Sequence, residues 1–139
     1  MTAQLPPIYL VSACLVGLCS RYDGQTQPHP GCRQYLQNGI WIPFCPEQMG
    51  GLATPRTAAD LTHGDGVAVL AGKAQVMTRD GVDVSRQFIR GAEQSLLLAQ
   101  SQPITSILLK SGSPSCGVSG TTGVTAAILQ RHGFHLIEF

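Results

Sequence analysis

Short apolar runs recur along the chain and predict a series of strands. Ile8 to Ala13 (IYLVSA) lies between a Pro-Pro pair and a glycine-containing segment, which is typical of a short buried strand. Trp41 to Cys45 (WIPFC) predicts a second strand, in which Pro43 indicates an edge or irregular position. Ile104 to Leu109 (ITSILL) is nearly continuously apolar, as in a strand covered on both faces, and the alternating FHLIEF further on predicts another.

Helical spacing between these runs predicts helices that alternate with the strands. The segment GCRQYLQNG, closed by Gly39, predicts a short helix after the first strand. Asp83 is the predicted N-cap of the clearest helix, and Thr122 is the predicted N-cap of a later one, GVTAAILQRH, which Gly133 closes. The core face of the clearest helix is predicted to carry Phe88, Ala92, Leu96 and Ala99.

The middle of the chain shows a less regular pattern. VAVL and AQVMT flank Ala71-Gly72-Lys73 and predict a small hairpin, followed by a turn at Thr78 to Gly81. The interval 45–66 has little periodicity, and an irregular loop of that length is usually functional.

Strands that alternate with helices predict the α/β class, here a single-domain Rossmann-like sandwich with a mostly parallel sheet flanked by helices. With 139 residues, the chain is expected to form one domain over residues 1–139, which buries a core without disulfides or a metal.

Composition narrows the classes of partner. Net charge is +1 and no basic run is present, so the electrostatic footprint of a nucleic-acid-binding protein is missing. No apolar stretch approaches the roughly 18 residues of a membrane span. The apolar N-terminal segment lacks a basic region and a clean cleavage site, so we do not interpret it as a signal peptide and expect a cytoplasmic protein.

Five cysteines carry the candidate chemistry. Their odd number and the absence of a CxxC pair argue against a disulfide framework, a zinc ribbon and a thioredoxin-like dithiol. Cys14 follows the first predicted strand, Cys45 closes the second, and Cys116 lies in the loop after ITSILL. Because ligands bind beyond the carboxyl ends of parallel strands, these three thiols are expected to converge. Cys19 and Cys32 are more typical of packing atoms.

Three convergent thiols suit two kinds of inorganic group. They can hold zinc with water in the fourth position, or three irons of a 4Fe–4S cluster with the fourth iron open. Backbone amides of SGSPSCG are expected to donate to such a group or to a bound anion. The alternative for this glycine-serine stretch is a phosphate-binding loop, although GxxxxGK[ST] and GxGxxG are both missing.

Five segments, in the same order, resemble those of a bacterial family formerly known as a domain of unknown function, the thiouracil desulfidases. The resemblance is to the short, single-domain form, since larger members carry an additional C-terminal domain. The segments are VSACLVGLCSRYDG (11–24), FCPEQMGGLATPR (44–56), GVDVSRQFIRGA (81–92), LLKSGSPSCG (108–117) and GVTAAIL (123–129).

The resemblance implies a 4Fe–4S cluster held by Cys14, Cys45 and Cys116, with one open iron that receives the sulfur of a thiocarbonyl. The implied partner is a small thiolated nucleobase such as 2-thiouracil, which is converted to uracil and hydrogen sulfide without net redox change. The resemblance also implies catalytic roles for Glu47 and Ser113.

Residue chemistry is compatible with those two roles but leaves alternatives open. Glu47 lies two residues from Cys45 and can accept a proton from an attacking water; otherwise it is a surface carboxylate or a partner of Arg56. Ser113 can donate to a substrate carbonyl or thione, with Ser115 as a second candidate, or it serves turn chemistry before Pro114.

Three further residues are predicted around the site. Arg56 can offer a bidentate donor to a substrate or pin its own loop. Arg21 either contacts substrate or forms a salt bridge within an Asp23-Gly24 turn. Ser12 can donate a hydrogen bond toward the cofactor.

Two alternative functions use the same thiols. One is a non-catalytic iron–sulfur or zinc protein that senses redox state or sulfide. Such a protein has no use for a carboxylate at position 47 beside an open metal site. The other is a structural zinc domain, which needs Cys19 or Cys32 as a fourth ligand.

Overall fold

The structure, a computed structural model, describes residues 5–139. Its strands are β1 (Ile8–Ser12), β2 (Ile40–Phe44), β3 (Ala59–Thr62), β4 (Gln75–Thr78), β5 (Ser106–Leu109) and β6 (Leu136–Glu138). Its helices are α1 (Pro30–Tyr35), α2 (Pro46–Met49), α3 (Gly66–Leu70), α4 (Ser85–Gln100) and α5 (Val124–Arg131), with a 3-10 turn at Ala13–Val16.

The main sheet has four strands in the order β2-β1-β5-β6, and every neighbouring pair is parallel. β1 lies between β2 and β5, with Val11 opposite Pro43 on one side and Leu108 on the other. β2 is therefore an edge strand, as Pro43 predicted. The α/β class with a mostly parallel sheet is confirmed.

Apolar side chains cover both faces of this sheet. Leu10, Ile107 and Leu109 belong to a cluster with residues of α4 and α5, whereas Val11 and Leu108 belong to a second cluster with Cys32 of α1. The alternation along β1 and β5 explains why their sequences are apolar at almost every position.

The long helix α4 buries most of its predicted face. Phe88, Ala92 and Ala99 are buried, and Leu96 is partly buried. The predicted N-cap is wrong: Val84 occupies that position, and the carboxylate of Asp83 accepts from the Ser85 amide at 2.9 Å. An Asx contact of this kind stabilises the turn that leads into the helix.

The predicted N-cap of α5 is also wrong. Gly123 occupies the cap position, and the Thr122 hydroxyl hydrogen-bonds the Val118 carbonyl at 3.4 Å. Gly133, with φ of 82°, follows the helix as expected. The first predicted helix ends earlier than Gly39, because α1 stops at Tyr35.

The predicted hairpin around Ala71-Gly72-Lys73 is wrong. VAVL belongs to α3, whose N-cap Asp65 accepts from the Ala68 amide at 3.0 Å. The partner of β4 is β3, in antiparallel pairing, and β3 and α2 both lie in the interval 45–66 that was expected to be irregular. A run of four apolar residues is too short to distinguish a strand from a helix by its periodicity. Here the N-cap Asp65 favours the helix.

Two glycines set α2 tightly against α4. A Cβ on Gly91 would lie 2.0 Å from the Pro46 carbonyl oxygen, and a Cβ on Gly50 would lie 2.0 Å from the Gln87 carbonyl oxygen. This close approach fixes the start of α2, which follows β2 directly. No helix within residues 5–139 is long and apolar enough to cross a membrane.

Candidate active site

A cavity of about 360 Å³ opens beyond the carboxyl ends of β1, β2 and β5. Parallel strands of an open sheet place ligand sites at this edge. Every residue predicted for the site lines this cavity: Ser12, Cys14, Arg21, Cys45, Glu47, Arg56, Ser113, Ser115 and Cys116.

The three predicted thiols reach the cavity from three separate elements. Cys14 lies in the 3-10 turn after β1, Cys45 is the N-cap of α2, and Cys116 lies in the loop after β5. Burial raises the pKa of all three thiols, for Cys116 to about 12. Each thiol is therefore protonated at neutral pH in the absence of a metal.

Hydrogen-bond donors surround two of these sulfurs. Burial raises the pKa of Cys116, and a hydrogen bond from the Ser12 hydroxyl opposes that effect. Arg56 Nη2 lies 3.9 Å from Cys45 Sγ. Donors in these positions stabilise a thiolate once it forms.

The loop that carries Cys116 is held by its own serine. Ser113 Oγ accepts from the amides of Ser115 at 3.2 Å and Cys116 at 3.1 Å, and the Gly117 amide donates to the Ser113 carbonyl at 2.9 Å. These amides were expected to bind a cofactor or anion. That expectation is wrong for all three, because the loop uses them internally.

The N-terminus of α5 is occupied in the same way. The Val124 amide donates to the Pro114 carbonyl at 2.9 Å, and the Ala126 amide donates to the Ser115 carbonyl at 3.0 Å. The helix thus fixes the two residues before Cys116. A phosphate-binding loop needs such amides free, so these two are not available to an anion.

Glu47 has a partner on each carboxylate oxygen. Arg56 Nε donates to Oε1 at 3.0 Å, and Ser115 Oγ donates to Oε2 at 2.9 Å. Ser113 Oγ lies 2.9 Å from Ser115 Oγ. An ionised carboxylate only accepts, so the Ser115 proton points to Glu47 and the Ser113 proton points to Ser115. The three side chains form a directed chain of hydrogen bonds.

Arg21 holds the turn that its local sequence predicts. Its Nε lies 3.4 Å from Asp23 Oδ1, its Nη1 hydrogen-bonds Gln27, and Gly24 has φ of 74°. The Gln25 amide closes the turn by donating to Asp23 at 3.0 Å. Arg21 also lines the cavity, so the structural role does not replace the predicted substrate contact.

Three charged residues of the cavity wall were missed. Lys110 directly follows β5, its amide donates to Ser12 Oγ at 3.0 Å, and its charge lowers the pKa of Cys14 against the larger effect of burial. Its place after a buried strand could have indicated it. Asp60 and Arg79, paired at 3.9 Å, belong to the β3–β4 region, whose pairing the sequence did not show.

The wall is positively charged as a whole. Its cations are Arg21, Arg56, Arg79 and Lys110, and its carboxylates are Glu47 and Asp60. An excess of positive charge suits bound thiolates and other anions.

Neither remaining cysteine supplies a fourth ligand. Cys19 is exposed and Cys32 is buried among apolar residues, and neither lines the cavity. Within the part of the chain that the structure describes, no three His, Cys, Asp or Glu side chains are grouped to hold a metal ion. Sulfurs around one zinc stand about 3.8 Å apart, so the structural zinc domain does not fit these residues.

The fold and the site define an α/β protein in which three thiols and a carboxylate line one cavity beyond the strand ends. The sequence model of a family described as 2-thiouracil desulfurase matches residues 9–138. The chain therefore belongs to the 2-thiouracil desulfurase family, whose members are enzymes that cleave a carbon–sulfur bond.

Two relatives support this assignment. One is a solved structure of a [4Fe-4S]-dependent thiouracil desulfidase, TudS, which is 38% identical with a TM-score of 0.78, over 95% of this chain and 90% of that chain. The other is the uncharacterized protein YbbK of Bacillus subtilis (strain 168), 36% identical over 141 residues and 93% of each chain. The resemblance noted in the sequence is confirmed.

Proposed function

We propose that this protein, acting as a single domain, removes sulfur from a thiolated pyrimidine such as 2-thiouracil by means of a 4Fe–4S cluster. One water is consumed, the C=S bond is replaced by C=O, and hydrogen sulfide leaves, so no electrons are gained or lost. The observation that carries the proposal is that Cys14, Cys45, Cys116 and Glu47 all line one cavity.

The donor set fits such a cluster, with Cys14, Cys45 and Cys116 as its ligands. Thiolates are soft ligands that bind iron–sulfur clusters, and the positive wall suits the negative charge that three of them bring. A cluster is also larger than a single ion, so its ligands need not crowd around one point. When bound, the cluster supplies an open iron, a soft Lewis acid for the thione sulfur.

Glu47 is the proposed general base. One of its oxygens accepts a proton from the water that attacks the ring carbon bearing sulfur, and the carboxylate later returns a proton to the departing sulfide. Its two hydrogen bonds hold the carboxylate in one orientation before substrate arrives. Catalysis by a positioned base requires this kind of preorganisation.

The serines complete the proposed machinery. Ser113 Oγ donates to Ser115 Oγ, which donates to Glu47, so the two serines hold the carboxylate in place and keep their own protons while Glu47 accepts the proton of the water. Ser12 is proposed to donate a hydrogen bond to Cys116 Sγ and so to stabilise its thiolate. On the substrate side, Ser115 and Arg21 are proposed to contact the polar edge of the pyrimidine, because both line the cavity.

The test is an anaerobic assay. After reconstitution with iron and sulfide, the protein is expected to be brown and to release sulfide from 2-thiouracil. Glu47→Ala is expected to lower the rate by about 100-fold or more while leaving iron content and visible spectrum unchanged, as removal of a general base does. Glu93→Ala, at an exposed position of α4, is the matched control and should retain full activity.

Two results would contradict the proposal. A protein that stays colourless after reconstitution has no cluster. A brown protein that releases no sulfide from any thiolated pyrimidine is a binding or sensing protein, the alternative considered above.

A further inference from the structure

We infer that Arg56 is a positioning residue that holds Glu47 and Cys45 in place and does not itself contact substrate. The inference rests on the proposed function, because it assigns Glu47 as the base. It also replaces the substrate contact that the sequence predicted for Arg56.

The guanidinium group has no donor left for a substrate. Arginine carries five N–H donors, and five partners surround those of Arg56, whose side chain is 9% exposed. The partners are Glu47 Oε1 at 3.0 Å, the Ala53 carbonyl at 3.3 Å, Thr54 Oγ1 at 2.8 Å, the Ser20 carbonyl at 3.0 Å and Cys45 Sγ at 3.9 Å.

These partners belong to three segments of the site. Ser20 lies in the loop that follows Cys14, Cys45 and Glu47 lie at the start of α2, and Ala53 and Thr54 belong to the loop of Arg56 itself. The Arg56 amide also donates to the Tyr22 carbonyl at 2.7 Å. One side chain thus joins the loops that follow two of the proposed ligand cysteines.

The bond to Glu47 determines the orientation of the carboxylate. With Arg56 present, both oxygens are held; without it, only the contact from Ser115 to Oε2 remains. The last torsion of a glutamate is soft, so one contact does not fix the plane of the carboxylate. The carboxylate is only 14% exposed, and an unpaired charge at that depth is unfavourable.

The contact with Cys45 gives a second, independent consequence. Nη2 lies between the Ser20 carbonyl and Cys45 Sγ, so a donor faces this sulfur. Hydrogen bonds to a ligand sulfur raise the reduction potential of the cluster that it holds. Removal of Arg56 should therefore lower that potential whether or not substrate is present.

Lysine cannot reproduce this arrangement. Its ammonium is a single charged point with three donors, whereas the partners of Arg56 lie around a planar fork. Arg56→Lys keeps the charge and removes the geometry, which makes it the sharpest test variant. Arg90→Lys, at an exposed position of α4, is the matched control.

The experiment compares these two variants and Arg56→Ala with the parent protein, all reconstituted anaerobically. For Arg56→Lys we expect kcat per cluster to fall by about 10- to 100-fold, the KM for 2-thiouracil to stay within about twofold, and the midpoint potential to shift downward. Added guanidinium ion should restore part of the activity of Arg56→Ala. Arg90→Lys should match the parent in every measurement.

Three outcomes would overturn the inference. A raised KM with unchanged kcat means that Arg56 binds substrate. Unchanged activity per cluster with an unchanged potential means that it only stabilises the fold. If guanidinium ion restores no activity to an Arg56→Ala protein that retains its cluster, the planar guanidinium group is not required.

Glu47→Ala separates this inference from the proposed function. If Glu47→Ala remains active, the proposed mechanism fails. If Glu47→Ala is inactive while Arg56→Lys behaves like the parent, the inference about Arg56 fails alone.

Discussion

At the scale of single residues, Glu138 shows how a carboxylate in β6 shapes the loop that follows Cys116. Its Oε2 accepts from the Val118 amide at 2.6 Å and the Ser119 amide at 3.0 Å, and its Oε1 accepts from the Ser119 hydroxyl. Partial burial pushes the pKa of Glu138 upward, but the hydrogen bonds from Ser119 and Val118 outweigh it, so its pKa lies below the ordinary 4.5. The charged form is therefore favoured in the folded protein.

Glu138→Gln is expected to lower the free energy of unfolding at pH 7 by about 1 kcal/mol, because it replaces charge-assisted hydrogen bonds with weaker ones. A carboxylate whose pKa is lowered on folding contributes stability above its unfolded pKa and loses it as pH falls through the folded value. The deficit should thus be full at pH 7 and shrink below about pH 4.5. Urea unfolding at several pH values measures it, and a deficit that stays constant into acid would contradict the assignment.

The same scale shows what a sequence reveals about a site. Cys14, Cys45 and Cys116 could be predicted together because each follows a strand, and parallel strands end at one edge. The pairing of Arg56 with Glu47, nine residues apart, was one of the alternatives that the sequence left open. The contact between Ser115 and Glu47 could not be predicted, because it joins residues 68 positions apart and depends on side-chain geometry.

At the scale of elements, α2 owes its place to Gly91 of α4. The helix has only four residues, so its own hydrogen bonds are too few to fix its direction. The contact between Gly91 and the Pro46 carbonyl leaves no space for a methyl group. The position of Glu47 therefore depends on a residue that lies outside the cavity wall.

Gly91→Ala is expected to destabilise the protein by about 1–3 kcal/mol, because the added methyl group overlaps the Pro46 carbonyl. Helix propensity alone predicts the opposite, a stabilisation of about 1 kcal/mol when alanine replaces glycine in a helix. Urea unfolding distinguishes the two, and activity per cluster should fall as α2 shifts. A more stable variant would show that α2 is free to move away without consequence.

The main sheet and the longest helix were the predictable elements of the fold. The strands of the main sheet and α4 followed from burial and periodicity, whereas α3 was taken for a strand and β3 was missed. A short apolar run is compatible with a strand or with a buried helical turn, so the same interpretation was right for β5 and wrong for α3. β3 is stabilised mainly by its pairing with β4, which the sequence does not show.

At the scale of the whole molecule, the proposed cluster would tie together the ends of β1, β2 and β5. A ligand that binds only the folded chain stabilises it, and the effect grows with affinity. The three thiols are far apart in sequence, so the unfolded chain offers no preformed site.

Removal of the cluster is therefore expected to lower the melting temperature by at least about 3 °C, since 1 kcal/mol corresponds to a few degrees in a domain of this size. The cluster is removed by oxidation and chelation, and the thiols are then reduced. Anaerobic calorimetry of the protein before and after this treatment measures the difference in melting temperature. Cys19→Ala is the control, because Cys19 is exposed outside the cavity and its replacement should leave the difference unchanged. Equal melting temperatures would show that the three strand ends are not joined.

The central position of β5 in the sheet has a consequence for biosynthesis. A ribosome must extrude Cys14 and Cys45 long before Cys116, and β1 has no β5 beside it until then. Because a domain of this kind folds as a unit, the nascent chain presents no assembled trio of ligands to an iron donor. Loading of the proposed cluster is thus expected only after Cys116 has emerged and β5 has joined β1.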